Sequence, residues 1–400
     1  MKADEDTQEL TLQGLFLAGP MAPIPDPYRL YARLRQKEPV AEIGPRPFSG
    51  VFVTRFDDVQ AILKDHETFS NRSNAERGIG IVMGRTIIGM DGREHLKHRA
   101  LITPSLAPRA LSGRFPQVVE RIAHDIVDDF ASAEAADLVS DFTFVYPLRV
   151  FTEILGLPPD DLKTFHGWAI DLAHVAQDPA RGLAAAQKTK EYLAPLVERK
   201  RAHPLNDLIS ELATAELDGE SLADEEIISF LRLLVIAGAE TTFHLMGSAL
   251  LALLRDPELL ESVRVERGRI EPLLQETLRW ESPVQIITRE AVRDTVVAGV
   301  DIPGGREVIV CIGSANRDER RFPDPDRFDI DREGEAHIAF GFGRHYCAGS
   351  RLAILEATTG LNALLDRLPD LRLDPAAAQP QVVGVAFRSP DQLRVRFQSA

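Results

Sequence analysis

The run from Phe340 to Gly349, FGFGRHYCAG, constrains the fold and the chemistry of this chain most strongly. It holds one cysteine, Cys347, among glycines, and glycine permits backbone conformations and close approaches that a Cβ would block. From Ser350 onward the residues favour a helix, so the sulfur is expected beside a helix N-terminus. The unpaired N–H groups and the dipole at such an end favour an anion. The pattern therefore predicts a single thiolate that is offered to a flat metal cofactor.

The ordinary alternative for a lone cysteine is a small buried apolar residue, because free cysteine is among the residue types most often buried. That alternative fits the other cysteine of the chain, Cys311, which lies in the apolar run VIVCIG and is predicted to belong to a core strand. Around Cys347 the aromatic residues, the glycines and His345 favour a ligand instead. A zinc site or a nucleophilic cysteine is poorly supported, because no second cysteine or paired histidine stands near Cys347 at metal-ligand spacing.

The composition indicates an intracellular globular enzyme. The 400 residues are 44% hydrophobic and contain no linker, repeat or low-complexity tract, which favours one unit over residues 1–400. Two cysteines cannot form a disulfide framework, which fits the cytoplasm. The net charge of −15 argues against nucleic-acid binding. The acidic residues 1–6 do not resemble a signal peptide, and no apolar run approaches the length of a membrane span.

Hydrophobic periodicity predicts a mainly α fold with minor β sheets. Helices are predicted at 27–35, 57–65, 94–105, 117–131, 146–155, 159–175, 183–202, 206–213, about 224–254 and from 350 onward. Strands are predicted at 50–54, 284–289, 296–298, 307–312, 381–387 and 393–397. The segment 71–90 has no helical period and is predicted to be an apolar loop.

The pattern Phe-x-x-Gly-x-x-x-Cys-x-Gly, met by Phe340, Gly343, Cys347 and Gly349, resembles the haem-binding loop of the cytochromes P450. In that family the cysteine is the axial thiolate of the haem iron. The order of predicted elements also resembles the family from end to end, and the chain is similar to its soluble bacterial forms. The resemblance implies a single haem-thiolate domain with the cytochrome P450 fold, haem b as cofactor and Cys347 as the metal ligand.

Haem carries two propionates, so the resemblance also implies cations that converge from separate elements. His95 and Arg99 share one helix face, Arg289 follows a short strand, and His345 lies two residues before the cysteine. These positions match propionate-binding positions of bacterial P450s, and an arginine fork suits a carboxylate. The family pattern adds further cofactor contacts at Ala237, Phe340, Gly341, Arg344 and Gly349.

The long predicted helix contains Ala237-Gly-Ala-Glu-Thr-Thr242, which resembles the family segment that carries an acid and an alcohol. Glu240 and Thr241 are consecutive, so a regular helix points them about 100° apart. They can cooperate only if the helix opens locally, and the Thr241 hydroxyl can compete for the Ala237 carbonyl four residues back. The resemblance implies that Glu240 and Thr241 are catalytic residues that relay protons.

Glu276 and Arg279 stand three residues apart on one predicted helix face. A lone pair of this kind is usually a surface ion pair of small value. In P450s, however, the pair and an arginine of a later proline-rich segment form a buried triad that holds the cysteine loop. By that resemblance Glu276, Arg279 and Arg327 are structural residues.

The substrate pocket implied by the resemblance is apolar, which suits a terpenoid, steroid, fatty acyl or aromatic molecule. Its side chains are predicted to be Ile81, Val82, Met83, Leu234, Ala237, Val284, Ile286, Ile287 and Phe387.

The first functional hypothesis is a monooxygenase that splits O₂ and inserts one oxygen atom into a C–H bond. The chain has no Gly-x-Gly-x-x-Gly pattern for a nicotinamide or flavin and no cysteine set for an iron–sulfur cluster. Electrons from NAD(P)H would therefore arrive through a separate reductase and a ferredoxin or flavodoxin. Arg344, His345 and Arg351, with Lys97 and His98, could steer an acidic partner of this kind. The alternatives are a peroxygenase or isomerase, against which the Glu240–Thr241 pair argues, and a haem-based sensor or carrier.

Overall fold

The structure, a computed structural model, describes residues 10–18, 22–24, 26–44, 49–76, 80–106, 115–158, 161–173, 175, 178–217, 219–334 and 336–399. The acidic N-terminal residues 1–6 lie outside this part. Its α-helices are Leu12–Leu17, Tyr28–Lys37, Phe56–Lys64, Ser73–Glu76, Gly80–Met83, Gly92–Ile102, Phe115–Phe130, Val145–Leu155, Leu162–Ala173, Pro179–Ala202, Leu208–Thr214, Asp224–Arg255, Pro257–Val265, Ile270–Trp280, Ile312–Ala315 and Ser350–Arg367. The mainly helical prediction is confirmed.

The largest sheet has five strands, in the spatial order Val40–Ile43, Gly50–Val53, Glu307–Cys311, Ile286–Ala291 and Phe69–Ser70. Its second and third strands are parallel and the other neighbours are antiparallel. A three-stranded sheet joins Arg372–Leu373, Arg394–Arg396 and Ala135–Asp137. The two-stranded pairs are Val382–Val383 with Ser389–Pro390, Glu216–Leu217 with Glu220–Ser221, and Thr295–Val297 with Val300–Ile302.

The long helix, Asp224–Arg255, is the central element of the helical core. It packs against the helices Val145–Leu155, Pro179–Ala202, Ile270–Trp280 and Ser350–Arg367. The expectation that no apolar run approaches the length of a membrane span is wrong for this helix, which is long and apolar enough to cross one by length and composition. However, 67% of its most apolar window is buried inside the protein. A helix that is apolar on all sides is expected in the core of a large protein. The burial of this helix agrees with that expectation.

Capping residues set several helix boundaries. Asp178 and Asp256 each accept a hydrogen bond from a backbone N–H of the first turn and precede a proline at the first helical position. Such caps satisfy N–H groups that lack intrahelical partners. The helix Pro257–Val265, which the cap at Asp256 could have indicated, is absent from the predicted set.

The segment 71–90 differs from the predicted loop. It contains the one-turn helices Ser73–Glu76 and Gly80–Met83 and a short 3₁₀ turn at Ile87–Gly89. Single turns produce no detectable period in the sequence, because a helical period needs more than one turn to show. The predicted strand 381–387 is also shorter, with only Val382–Val383 in a ladder and Phe387 in an isolated bridge to Val284.

Candidate active site

A cavity of about 490 Å³ lies between the long helix and the residues around Cys347. The long helix supplies one wall through Leu234, Ala237 and Thr241, among others. The cysteine loop, which we define as Phe340–Gly349, supplies another wall through its cysteine. Further wall residues come from the helix Gly92–Ile102, the strand Ile286–Ala291 and Phe387. Distant parts of the sequence therefore converge on one enclosed volume.

Glycines shape the cysteine loop where other residues would not fit. Gly341 and Gly343 have φ values of 74° and 71°, in the left-handed region that favours glycine. A Cβ on Gly343 would also stand 2.8 Å from the backbone oxygen of Leu63. Gly349 differs from the sequence-based expectation, because its φ is −90° and a Cβ there would meet no protein atom within 4 Å. Gly349 lines the cavity, so a side chain there would instead take up cavity space.

The Cys347 sulfur faces the cavity just before the helix Ser350–Arg367. The backbone N–H of Cys347 donates to the Phe340 carbonyl at 2.8 Å and closes the loop. Burial raises the pKa of the Cys347 thiol, whereas the N–H groups of Gly349 and Ser350 and the charge of Arg99 lower it. Cys347 is nevertheless exposed to the cavity, so its sulfur is accessible to a ligand there, and a bound metal cation would favour the thiolate.

Four basic side chains line the cavity beside the cysteine: His95, Arg99, Arg289 and His345. The imidazole rings of His95 and His345 lie 3.9 Å apart between centroids. Burial lowers the pKa of His95 to about 4 and that of His345 to about 3. Burial likewise lowers the pKa of Arg289 to about 10. At neutral pH the two histidines are therefore neutral hydrogen-bonding groups, whereas Arg99 and Arg289 carry the positive charge that favours an anionic ligand.

Both ring nitrogens of His95 are buried and have no hydrogen-bond partner in the described part of the protein. Buried polar atoms are normally paired, so these two call for a partner from a bound molecule. A ligand with carboxylates, such as haem, would provide these partners, and the Cys347 sulfur would serve as a ligand to its iron. The residues present therefore fit haem.

Arg344 does not contribute its side chain to this cluster, and its prediction as a side-chain cofactor contact is wrong. The side chain is exposed and does not line the cavity. Only its backbone carbonyl takes part, as an acceptor from Arg99 at 3.2 Å. The reason is local geometry, since the 3₁₀ turn Gly343–His345 directs His345 into the cavity and leaves Arg344 in solvent.

The long helix remains continuous through the acid–alcohol pair, so the predicted local opening is not present. The Thr241 hydroxyl donates to the Ala237 carbonyl at 2.8 Å, as expected. Thr241 lines the cavity, whereas Glu240 lies on the flank of the helix with 28% of its side chain exposed. The two side chains thus connect the cavity wall to the solvent side of the helix.

Gly238 is required by packing rather than by helix weakness. A Cβ at this position would overlap the Phe151 ring, which packs directly onto the helix backbone. Because Gly238 also lines the cavity, this contact brings the helix Val145–Leu155 against the back of the site.

Glu276 and Arg279 form a buried bidentate ion pair. Two guanidinium nitrogens of Arg279 donate to the Glu276 carboxylate, each at 2.7 Å. Arg279 also donates to the carbonyls of Asn316, Pro325 and Arg327. The pair therefore ties the helix Ile270–Trp280 to the proline-rich segment that precedes the cysteine loop.

The third member of this group is Arg332, and the prediction of Arg327 is wrong. The Arg327 side chain is 68% exposed and lies 3.7 Å from Asp329. Arg332 is 14% exposed, lies 3.4 Å from the Glu276 carboxylate and donates to the carbonyls of Asp324 and Arg327. The proline-rich chain turns between the two arginines, where the Arg332 N–H donates to the Asp329 carbonyl at 3.2 Å. Only Arg332 consequently points inward.

Most of the predicted pocket residues reach the cavity wall: Leu234, Ala237, Val284, Ile286, Ile287 and Phe387. The predictions of Ile81, Val82 and Met83 are wrong. Val82 and Met83 are buried in the hydrophobic core, and Ile81 is 53% exposed. The one-turn helix Gly80–Met83 moves the wall-forming positions along the chain, and Ile87 and Ile88 line the cavity in their place.

Sequence reasoning missed several buried acidic residues, among them Glu356 and Glu281. Glu356 lines the cavity and is fully buried, and neither of its carboxylate oxygens has a partner among the described residues. Burial raises the pKa of Glu356 well above the usual range. Glu281 accepts hydrogen bonds from Tyr28 at 2.6 Å and from the buried Arg388 at 2.8 Å. An isolated glutamate in a helical sequence usually lies on the surface, so neither position carried a signal of burial.

A second, open groove borders the cysteine loop. It shares Phe340, Gly341 and Tyr346 with the cavity, so the loop lies between the two. Exposed Arg351 lines this groove. Lys97 and His98, by contrast, are paired with Glu220 at 2.6 Å and with Glu226 at 3.1 Å.

Comparison with known proteins agrees with this site. The family model described as Cytochrome P450 matches residues 151–375. Cytochrome P450 107B1 of Saccharopolyspora erythraea is 36% identical over 389 residues, which cover 93% of this chain and 92% of the relative. The chain belongs to the cytochrome P450 family. It is accordingly a haem-thiolate monooxygenase of the bacterial type, and haem b is its cofactor.

Solved P450 structures have the same fold. CYP109E1 from Bacillus megaterium in complex with testosterone matches with a TM-score of 0.84 and 30% identity, covering 93% of this chain and 99% of that one. P450BioI in complex with acyl carrier protein ligated to hexadec-9Z-enoic acid matches with a TM-score of 0.84 and 32% identity, covering 93% and 98%. P450s of this architecture therefore accept a steroid in one case and a carrier-bound acyl chain in the other.

Proposed function

We propose that this P450 inserts one oxygen atom of O₂ into a C–H bond of a small apolar molecule. The observation that carries the proposal is the shared cavity, whose lining includes Cys347, Thr241 and an apolar wall. We further propose that residues 1–400 form a single haem domain that works in the cytoplasm.

Haem would be held by residues from separate elements. Cys347 is the proposed iron ligand, and His95, Arg99, Arg289 and His345 are the proposed propionate partners. Ala237, Phe340, Gly341 and Gly349 line the same cavity and would contact the macrocycle. When bound, thiolate-ligated haem supplies the activation of dioxygen. Arg99 and Arg289 would neutralise the propionates, and the unpaired nitrogens of His95 would gain hydrogen-bond partners.

Thr241 and Glu240 are the proposed proton-handling residues. The Thr241 hydroxyl faces the cavity and is oriented by the Ala237 carbonyl. Glu240, the next residue, reaches solvent from the flank of the helix. Because the helix is continuous, the two side chains point about 100° apart. We therefore propose that Glu240 takes up protons from solvent and that water carries them to the Thr241 hydroxyl, without the local opening of the helix that the sequence suggested.

The proposed substrates are terpenoid, steroid, fatty acyl or aromatic molecules. Leu234, Val284, Ile286, Ile287 and Phe387 make the wall apolar, which favours such skeletons over charged ones. The steroid bound by CYP109E1 and the acyl chain carried to P450BioI support this range.

Electrons are proposed to come from NAD(P)H through a separate reductase and a ferredoxin or flavodoxin. The groove beside the cysteine loop supports this, because the loop alone separates it from the cavity. The exposed Arg344 and Arg351 offer two cations on this side, beside the groove carboxylates of Glu271, Asp329 and Asp331, and cations at the contact suit an acidic carrier.

The decisive experiment combines spectroscopy with turnover. We expect the reduced carbonyl adduct of the holoprotein to show the red-shifted Soret band of thiolate ligation, and Cys347→His to abolish it. A panel of terpenes, steroids, fatty acids and arenes is then scored by the spin-state change of the haem. Binders are tested with a surrogate reductase and ferredoxin. Turnover with peroxide but not with the electron-transfer chain would contradict the monooxygenase proposal.

A further inference from the structure

His244 is a buried histidine that the proposed mechanism does not yet use. Its side chain is 5% exposed, and neither ring nitrogen has a hydrogen-bond partner in the described part of the protein. A polar group that is buried without a partner destabilises the folded protein. A phenylalanine or leucine would fill the same place without that cost, so the imidazole calls for an explanation.

The ring lies one helical turn after Glu240, on the same flank of the long helix. The Nε2 atom of His244 is 3.9 Å from Oε1 of Glu240. Residues four apart on a helix face each other, and an acid that precedes a base in this spacing is the favourable order. In the described residues, His244 is the only basic side chain within 4 Å of this carboxylate.

Aromatic contacts fix the imidazole in place. The ring of Phe243 lies 4.5 Å away between centroids. The ring of Phe387 stacks at 5.8 Å with an interplanar angle of 22°, and Phe387 itself lines the cavity. The Glu240 side chain, with 28% of its surface exposed, has freedom to move that the clamped ring lacks.

We propose that His244 is a positioning residue that holds the Glu240 carboxylate beside Thr241 by donating a hydrogen bond from Nε2. A rotation of the Glu240 side chain, or one bridging water, brings the two groups within hydrogen-bond distance. Without the His244 donor, we expect the Glu240 carboxylate to point into solvent, away from Thr241. The inference rests on the proposed role of Glu240 and Thr241 in proton delivery.

The test compares variants that separate the ring from its donor. His244→Phe keeps the aromatic packing and removes the donor, whereas His244→Gln keeps an N–H donor. We expect His244→Phe to raise several-fold the fraction of electrons lost as hydrogen peroxide during turnover, and His244→Gln to restore most of the coupling. His244→Phe should add nothing further in a Glu240→Gln background, because both changes break one interaction. His203→Phe, at an exposed site, is the matched control.

A spectroscopic measurement keeps the inference testable if a variant folds poorly. In the ferrous carbonyl holoprotein with isotope-labelled histidine, Glu240→Gln should shift the His244 ring resonances and leave those of His203 unchanged. Equal leakage in the Phe and Gln variants, or an unmoved His244 resonance, overturns the positioning role. Normal coupling in Glu240→Gln and Thr241→Ala would instead refute the proposed proton-delivery pair itself, so the two failures are distinguishable.

Discussion

At the scale of single residues, Glu276 distinguishes two arginines that the sequence leaves equivalent. Arg332 is 14% exposed and lies 3.4 Å from the carboxylate, whereas Arg327 is 68% exposed. We expect Arg332→Ala to lower the free energy of unfolding by about 1.5–3 kcal/mol, as for a lost hydrogen bond to a charged group. The change should also weaken haem retention, because Arg332 joins the segment before the cysteine loop to Glu276.

Arg327→Ala is the matched control for that prediction. Its side chain is exposed, so its loss should change stability by no more than about 0.5 kcal/mol. Urea unfolding of the two holoproteins, with haem content measured by the pyridine haemochrome, gives both quantities. Equal effects of the two substitutions would contradict the assignment of Arg332, rather than Arg327, as the third member of the triad.

Thr241 permits a second prediction at this scale. Removal of its hydroxyl in Thr241→Ala should leave oxygen consumption largely intact and divert most electrons to hydrogen peroxide, because the cavity loses the group that presents a proton. Product and peroxide are measured together against NAD(P)H consumed. Thr241→Ser, which keeps the hydroxyl, should stay within a few-fold of the parent, and full coupling in the alanine variant would remove Thr241 from the mechanism.

At the scale of elements, the segment that leads into the cysteine loop contains a histidine that stays neutral. His337 accepts the Ala339 N–H on Nδ1, so its Nε2–H donates to Gln275 at 2.9 Å. Burial, and then the charge of Arg279, lower the pKa of His337 from 6.5 to about 4. Between pH 4 and pH 6.5, His337 is protonated in the unfolded chain but neutral in the folded protein. The contribution of His337 is therefore complete above pH 6.5 and is lost as pH falls towards 4.

His337→Gln should flatten this dependence. We expect the difference in unfolding free energy between neutral pH and the lower end of the window to shrink by on the order of 1–2 kcal/mol. The measurement is a series of urea titrations of both holoproteins across that range. The other buried histidines remain in both proteins, so the difference isolates His337, and parallel curves would show that it does not titrate in this way.

How far the sequence predicts these elements depends on their length. The long helix and its neighbours repeat an apolar pattern over several turns, so their positions follow from the pattern within a few residues. The segment 71–90 has only single turns, and its two one-turn helices decide that Ile87 and Ile88, rather than Val82 and Met83, face the cavity. Contacts between residues distant in sequence stabilise this arrangement. For example, Asn74 forms hydrogen bonds with Thr288.

In the candidate site, too, the sequence predicts some features, whereas packing decides others. The glycine spacing and the cysteine identify the loop, since φ values near 70° at Gly341 and Gly343 restrict the residue type. Which side chain of a polar segment points inward is decided by a turn of one or two residues, as at Arg344 against His345 and Arg327 against Arg332. Burial of Glu356 follows only from packing of the whole core, and no local pattern indicates it.

At the scale of the whole molecule, the negative net charge disfavours binding of the acidic electron carrier that we propose as partner. The chain carries a net charge of −15, and an acidic electron carrier is repelled by most of such a surface. Charges farther apart than the Debye length of about 8 Å are screened at physiological salt, so the residues at the contact dominate. Arg351 lines the groove beside the cysteine loop and Arg344 is exposed in that loop, so these two bring positive charge to a groove that Glu271, Asp329 and Asp331 also line.

Substitution of these arginines should therefore weaken docking without disturbing the haem site. We expect Arg351→Ala to raise the KM for an acidic ferredoxin several-fold and to reduce its dependence on salt, with a larger effect when Arg344→Ala is added. Reduction by dithionite and the carbonyl spectrum should stay as in the parent, because neither side chain lines the cavity. Arg394→Ala, exposed in the three-stranded sheet, is the control of equal charge change. A KM that responds equally to all three positions would mean that net charge, rather than this groove, attracts the carrier.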